Sequence, residues 1–464
     1  MTTAAVIRHA LIRHVLIRHG AVRSALVRTL VRTTPALTVL GSLVLTCLLI
    51  RQQRLTVLAL AAAVLAAAAL RRPTATALLL IPLSVVGTVV ADATFVILAI
   101  VVVTLSAAVR IVAGVHAVRP PHLWAALMCC LLLVSFVPCL DGPLPVMIVF
   151  YDLAGILAGL ALTAAAIAAP PRPRDLARMT ALVGALAAGY ALAAGEEMGG
   201  RLEGLGLNPN YLAALLAMPL VAAVGLTRRT RNPLWLVPGT ICLVAMVCTQ
   251  SRAAFVAAAV GVAVTLVHGR PRGHQALIAV GTGVTVMLPG IVELVRRVTA
   301  GDRGPADLSR SREVRQQAAE FALRTAVEHP FHGIGYGTFS SYAARSPRFG
   351  LEIGTHNDYL RLAAESGAAT LVVFLVILWL AVRGRRPGDL SLPLGITLAF
   401  ATNLLFANLL ANPTISMPFW LSLGCLLAAA RHPAGASSPD PCQEPARLRD
   451  GPVWRPHQKG QAHG

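Results

Sequence analysis

Apolar runs long enough to cross a lipid bilayer recur along almost the whole of this 464-residue chain. A helix needs about 20 mostly apolar residues for the crossing, somewhat fewer at the short end of the range. On that rule fourteen runs are expected to span: 34–50, 55–70, 74–91, 93–109, 123–140, 144–169, 179–195, 209–226, 234–250, 253–269, 276–294, 366–382, 390–411 and 415–430. Hydrocarbon offers backbone N–H and C=O groups no partner, so such runs must close their hydrogen bonds within themselves as helices. The fold class expected is an all-α polytopic membrane protein with about 12–14 transmembrane helices, the first two runs being the shortest. Composition agrees, with 56% hydrophobic and 13% charged residues and a mean hydropathy of +0.70. A soluble chain of this size needs far more polar surface to cover its core.

The formal net charge is +20, which raises nucleic acid as a partner. The arginines, however, lie in short loops between apolar runs and form no single basic stripe, so membrane orientation is the better reading and no nucleic acid is expected. With the N-terminus inside, the inward loops hold Arg71, Arg72, Arg110, Arg119, Arg172, Arg174, Arg178, Arg228, Arg229, Arg231, Arg270, Arg272, Arg383, Arg385 and Arg386. The outward loops hold Asp92, Asp141, Glu196, Glu197 and Glu203, with Arg51, Arg54, Arg201 and Arg252. Alternation to the end puts both termini in the cytoplasm of a multi-pass membrane protein. Residues 1–33, with the repeat "VIRHALIRHVLIRHG", are expected as a basic cytoplasmic leader that touches anionic headgroups, and 431–464 as a disordered cytoplasmic tail. Between them, 34–294 would hold spans one to eleven and 366–430 the last three. Seven of the eight cysteines sit inside apolar runs with no Cys or His partner at zinc spacing, so they are packing residues and no metal is expected.

One connection breaks the economy of the rest. Residues 295–365 form a long outward, extracytoplasmic loop, and long loops of this kind usually carry function. Val314, Ala318, Phe321, Ala322 and Thr325 recur at helical spacing until Pro330, which predicts an amphipathic helix on the outer membrane surface. "HPFHGIGYGTF" (329–339) spaces three glycines at 333, 335 and 337 without a surrounding strand–helix unit, and reads as a flexible turn. His329, His332 and His356 have no acidic partner at metal-ligand spacing.

The loop ends in "THNDYLRLAAESG" (355–367). Thr355 followed by Asp358 predicts a capping-box start with His356 in the first helical turn, where the positive helix end keeps an imidazole neutral, the state a general base needs. The plain alternative is an idle interfacial histidine. Asp358, Arg361 and Glu365 stand three and four apart, the spacing at which helix charges satisfy one another. Arg252, at the tight turn in "CTQSRAAF", is either a snorkelling arginine or an anion clamp. Arg310, Arg312 and Arg315 lead into the amphipathic helix and any one of them completes such a clamp by position. Asn208, Asn210 and Tyr211, at the mouth of a span, either bond sugar hydroxyls or cap the helix. Asp152 stands nearly alone as an acid inside a span, a functional candidate by default.

Together, "SRAAF", "RQQAAEFALRTAVEHPFHGIGYGTF" and "HNDYLRLAAESG", in this order and followed by three spans, resemble the O-antigen ligase and O-antigen polymerase superfamily. The motifs cover about 208–382. The resemblance implies a GT-C-like membrane glycosyltransferase, with His356 as catalytic base, Arg252 as the arginine of the Ser-Arg turn and Arg315 as a second arginine. Where the family often has Trp, this chain has Ala319, so Arg312 stays a rival to Arg315. No ATP is available outside the cell and no Walker motif is present, so the donor expected is a glycan on a polyprenyl pyrophosphate. Its acceptor hydroxyl is carried by a glycan, a lipid or a protein. The reaction expected is inverting and metal-independent, with no cofactor. The competing reading is a lipid-linked oligosaccharide flippase or another transporter, which predicts paired charges near mid-membrane.

Overall fold

The computed structural model describes residues 53–90, 93–114, 118–137, 146–267, 305–347, 349–350, 352–383 and 390–430. The basic leader, the runs 34–50 and 276–294 and the tail 431–464 lie outside the described residues. The other twelve expected runs all fall on helices: α1 (Gln53–Arg71), α2 (Pro73–Val90), α3 (Ala93–Val112), α4 (Pro120–Phe136), α5 (Val146–Ala168), α6 (Pro173–Ala194), α7 (Pro209–Thr230), α8 (Leu236–Thr249), α9 (Arg252–Val267), α13 (Ala368–Val382), α14 (Ser391–Asn403) and α15 (Pro413–Ala429). The long loop contributes α10 (Pro305–Glu328), α11 (Phe339–Arg345) and α12 (Asp358–Ser366). A two-residue hairpin, β1 (Glu196–Glu197) against β2 (Leu202–Glu203), is the only sheet among the described residues. The protein is an all-α polytopic membrane protein. Among the described residues, 149–168, 173–194 and 209–230 are by themselves long and apolar enough to cross a membrane, and eight shorter apolar helices accompany them.

Small residues let these helices approach closely, as they must where lipid supplies no hydrophobic drive to associate. Gly155 and Gly159 of α5 lie against the Ala411 carbonyl and the Trp420 ring, and one turn on the Thr163 hydroxyl donates to the Trp420 carbonyl at 3.1 Å. Gly261 of α9 meets Gly395 and Ala399 of α14, and Thr265 meets Gly395, which sets these two helices antiparallel.

Polar contacts sort to two ends of the bundle. At one end arginines close helix C-termini: Arg110 donates to the Leu70 carbonyl at 2.6 Å, Arg119 to that of Ala428 at 3.1 Å, and Arg228 to that of Thr265. The last carbonyls of a helix lack intrahelical partners and favour a cation. At the other end lie the hairpin, α12 and the segment 404–412 between α14 and α15.

Three expectations need correction. The run 390–411 is helical only to Asn403, because the Leu409 and Leu410 amides turn instead toward a carboxylate of α12. The run opening at 366 is broken from α12 by Gly367, whose φ of +85° no β-carbon-bearing residue takes cheaply and whose α-carbon abuts the Phe331 backbone. The helix expected from Val314, Ala318, Phe321, Ala322 and Thr325 is present as α10, but its buried face, with Ala318, Ala322 and Thr325, packs on protein: Ala322 and Ala326 join Phe339, Ala363 and Ala364 in one cluster.

A methyl group at Gly155 overlaps backbone, whereas at Gly189 in α6 it meets nothing within 4 Å. Gly155→Ala should therefore cost about 1–3 kcal/mol, while Gly189→Ala should stabilise by roughly 0.5–1 kcal/mol. Thermal unfolding of the two purified variants in one detergent checks the pair.

Candidate active site

Helix α12 begins two residues later than the capping-box reading predicts, with its cap at 357 and not at 355. Its N-cap is Asn357, whose side-chain oxygen accepts from the Tyr359 and Leu360 amides at 2.9 and 3.1 Å. His356 is thus not in the first turn. It precedes the cap in left-handed backbone, with φ +52°, a conformation that costs a non-glycine residue about 1–3 kcal/mol and is kept only when its surroundings impose it. Here they do. The Thr355 hydroxyl bonds the Asn408 side chain at 2.9 Å, and the Asp358 amide donates to the Leu404 carbonyl at 2.8 Å. The Asp358 carboxylate accepts from the Leu409 and Leu410 amides, the latter at 2.8 Å. Residues 355–358 are held against 404–410 on both sides of the histidine.

The imidazole itself is half-buried. Burial and then the positive charge of Arg315 both push its pKa below the ordinary 6.5, so it is neutral at pH 7. The neutrality expected from a helix end has a different cause. Arg315 lies on the exposed side of α10, near enough for its charge to act on His356. Arg312 lies one turn earlier in α10, and its side chain is outside the described residues.

Arg252 opens α9 with an exposed side chain that makes no hydrogen bond or ion pair among the described residues. Carried two turns beyond Gly261 and Ala399, the antiparallel register of α9 and α14 sets it at the same end of the bundle as 404–410. The neighbouring hairpin is pinned there too: buried Arg201 donates to the Thr249 carbonyl and the Asn210 side chain, both at 2.8 Å, and Gln250 donates to the Gly200 carbonyl at 2.8 Å. Asn208 caps α7 by accepting from the Asn210 and Tyr211 amides, and Asn210 is occupied by Arg201. Of the three residues weighed as sugar ligands, two therefore have structural partners. Tyr211 instead feels the charges of Asp358, Arg361 and Asp152.

That charged group is larger than the sequence indicates. Arg361 donates from Nε to Glu365 at 2.8 Å, the expected pair four residues apart, and from Nη2 to Asp152 of α5 at 2.5 Å. Asp152 is therefore not a lone acid. Its partner is 209 residues away, and no local pattern announces it. The Arg361 guanidinium also stacks on Tyr336 at 4.7 Å. Burial opposes its charge, but Glu365, Asp152 and Asp358 hold it protonated. Asp358 does not pair with it directly; burial pushes the Asp358 carboxyl up to about 6 against the pull of Arg361 and the two amides.

Glu365 organises the glycine loop. Gly333, Gly335 and Gly337 all have positive φ, and the turn they form is tied down: the Ile334 and Gly335 amides donate to the Ala364 and Glu365 carbonyls, both at 3.0 Å. The Gly337 and Phe339 amides donate to the Glu365 carboxylate at 2.8 and 3.0 Å. The loop grips the protein's own carboxylate, which corrects the flexible-turn reading. His329 stands edge-on to Tyr342 and His332 faces the Gly333 carbonyl; no three His, Cys, Asp or Glu side chains gather as a metal site among the described residues.

Residues 238–375 match the family model described as O-antigen ligase. That stretch is similar to the O-antigen ligase family. It runs from α8 into α13 and contains Arg252, Arg312, Arg315, the glycine loop, His356, Arg361 and Glu365. Asp152, Asn208, Asn210 and Tyr211 precede it. No curated protein matches the chain. The three ligase-family motifs quoted from the sequence all fall in this matched stretch, whereas the wider coverage of about 208–382 begins before it and ends after it.

Glu365→Ala leaves two buried amides and one guanidinium face without an acceptor. Loss of one partner from a buried pair of this kind costs about 3–5 kcal/mol, so the variant should unfold well below the wild type. Glu365→Gln keeps one acceptor oxygen, enough for only one of the two amides, which donate to different carboxylate oxygens, and should lose less than Glu365→Ala; calorimetry or thermal scanning of both measures the difference.

Proposed function

We propose that the protein is a membrane glycosyltransferase that moves a glycan from a polyprenyl-pyrophosphate donor to an acceptor hydroxyl on the outer face of a bacterial inner membrane. The observation that carries this reading is the pairing of a half-buried, neutral His356 with the charge of Arg315, inside the segment that matches the O-antigen ligase family. A neutral imidazole beside a guanidinium is what a base needs when the other substrate is an anion.

In the proposed reaction His356 takes the proton of the acceptor O–H as that oxygen attacks the anomeric carbon. The bond from this carbon to the pyrophosphate oxygen breaks, and the polyprenyl pyrophosphate leaves with the electron pair. Arg252 and Arg315, with Arg312 as an alternative to the latter, stabilise the charge growing on the leaving group. Attack opposite the leaving group inverts the anomeric centre. Proton transfer and charge stabilisation account for the step without a metal, and the donor's own phosphate ester supplies the driving force. GT-C-like architecture fits a long loop whose helices cover one end of the bundle.

Transport is the weaker reading. Among the described residues, the charge pair that bridges α5 and the loop, with Arg361 buried and Asp152 half open, lies toward the end of the bundle and is fastened through Glu365 to the glycine loop, unlike a coupling site at mid-membrane.

His356→Ala should lower transfer by about 10³-fold, within the range for removal of a general base, with protein level and thermal stability near those of wild type. In the native host lacking the gene, the same variant should leave lipid-linked glycan accumulating; restoration of normal surface polysaccharide by it would sink the mechanism.

The rate should also fall on the acid side as His356 gains a proton, at a pH below 6.5 because its pKa is depressed. Removing the Arg315 charge relieves part of that depression. In Arg315→Gln the acid limb of the kcat/KM profile should therefore move to higher pH, whatever happens to the plateau; a limb that stays in place contradicts the electrostatic link.

A further inference from the structure

Asp152 lies where an acid is hardest to explain. Projected at 100° per residue, it falls between Ile156 and Gly159, in the middle of the face that α5 buries with Leu153, Leu160 and Thr163, while Phe150 is exposed on the far side. Its side chain is nevertheless 46% exposed, whereas the Arg361 bonded to it is 9% exposed. A side chain that points into the bundle and is half open faces an internal cleft and not lipid. A carboxylate there must be met by water, since hydrocarbon penalises a charged group by about 2.5–3.5 kcal/mol or more. Only Oδ2 is held by Arg361; Oδ1 has no hydrogen bond among the described residues.

The charge around this cleft has the wrong sign for a diphosphate. Asp152, Asp358 and Glu365 surround the single guanidinium of Arg361, leaving negative charge in excess. Asp358, 1% exposed, also keeps its Oδ1 without a hydrogen-bond partner among the described residues. Tyr211 lies within reach of the same charges. Neutral groups rich in O–H donors suit such a surface, because each hydroxyl given to a carboxylate makes a charge-assisted hydrogen bond.

We propose that Asp152, oriented by Arg361, is a carbohydrate-binding residue whose free carboxylate oxygen accepts hydrogen bonds from glycan hydroxyls in a water-filled cleft beside α5. This rests on the glycosyl-transfer reading above and adds a residue outside the matched family segment. It divides the site: diphosphate toward Arg252 and Arg315, sugar toward Asp152. The sugar belongs either to the donor glycan or to the acceptor, and the test separates them.

The full-length protein in proteoliposomes is treated with a water-soluble carbodiimide and taurine, with modification at Asp152 read by peptide mass spectrometry. The probe is the lipid-linked glycan that a host strain lacking the gene accumulates, released from its lipid by mild acid. Asp152 should be modified, and the released glycan, at about ten times its Kd, should slow that modification by about tenfold, because only the unoccupied fraction of sites reacts. An unreactive Asp152, or one that the glycan leaves equally reactive, overturns the proposal. In transfer assays, Asp152→Ala and Asp152→Asn should raise the KM of one substrate by about tenfold; the donor or the acceptor is assigned according to which KM moves. Unchanged values for both, with or without a fall in kcat, also overturn it. Asn keeps a hydrogen bond for Arg361, so it reads the result if Ala fails to fold. Normal transfer by His356→Ala would instead remove the catalytic reading, and the protection experiment would still report on glycan binding.

Discussion

A guanidinium taken out of water must be neutralised where it lies, and Arg361 imposes that demand on everything around it. Glu365 answers from the same helix and Asp152 from α5, while Tyr336 covers the flat face. Glu365 in turn needs donors for its remaining lone pairs and finds them in the amides at Gly337 and Phe339. One buried charge thus fixes a transmembrane helix, a short helix and a glycine loop relative to one another. Buried ion pairs are poor sources of net stability but good specifiers of a single arrangement. The arrangement specified here is the one that holds α12, and with it His356 just before the helix cap.

How far this was legible depends on the range of each interaction. The succession of helices could be read because every apolar run must solve its own hydrogen bonding in lipid, which is a local problem. The Arg361–Glu365 pair was readable for the same reason, through helical spacing. Asp152 was visible as an anomaly but its partner was not, because the two residues meet only after α5 and α12 have packed. The start of α12 went to Asn357 and not to Thr355, whose hydroxyl is taken by Asn408, again a contact made across the fold. Glycines 333, 335 and 337 signalled unusual backbone correctly, yet sequence gives no way to tell a loop that waits for an external anion from one already filled by Glu365.

The polar end of the bundle is electrically divided. Exposed Arg315 brings positive charge to His356, and the carboxylates around Arg361 bring negative charge beyond it. His356 lies at the junction, two residues before Asp358 and within the field of Arg315. Its left-handed backbone is held from both sides by 404–410, so the imidazole is presented by a rigid clasp, although it sits in a connection between helices. In the proposed reaction such rigidity matters, since a base a fraction of an ångström out of line loses much of its effect.

At the opposite end, Arg110, Arg119 and Arg228 each close the carbonyls of another helix. Arginines of this set are also the ones that bias a chain's orientation as it enters the bilayer. In the orientation expected from the sequence, the charge bias during insertion and the docking contacts favour the same topology. A helix that first enters the wrong way round forfeits three-dimensional partners as well as the charge bias, so late reinsertion of strays runs downhill and the finished topology resists inversion.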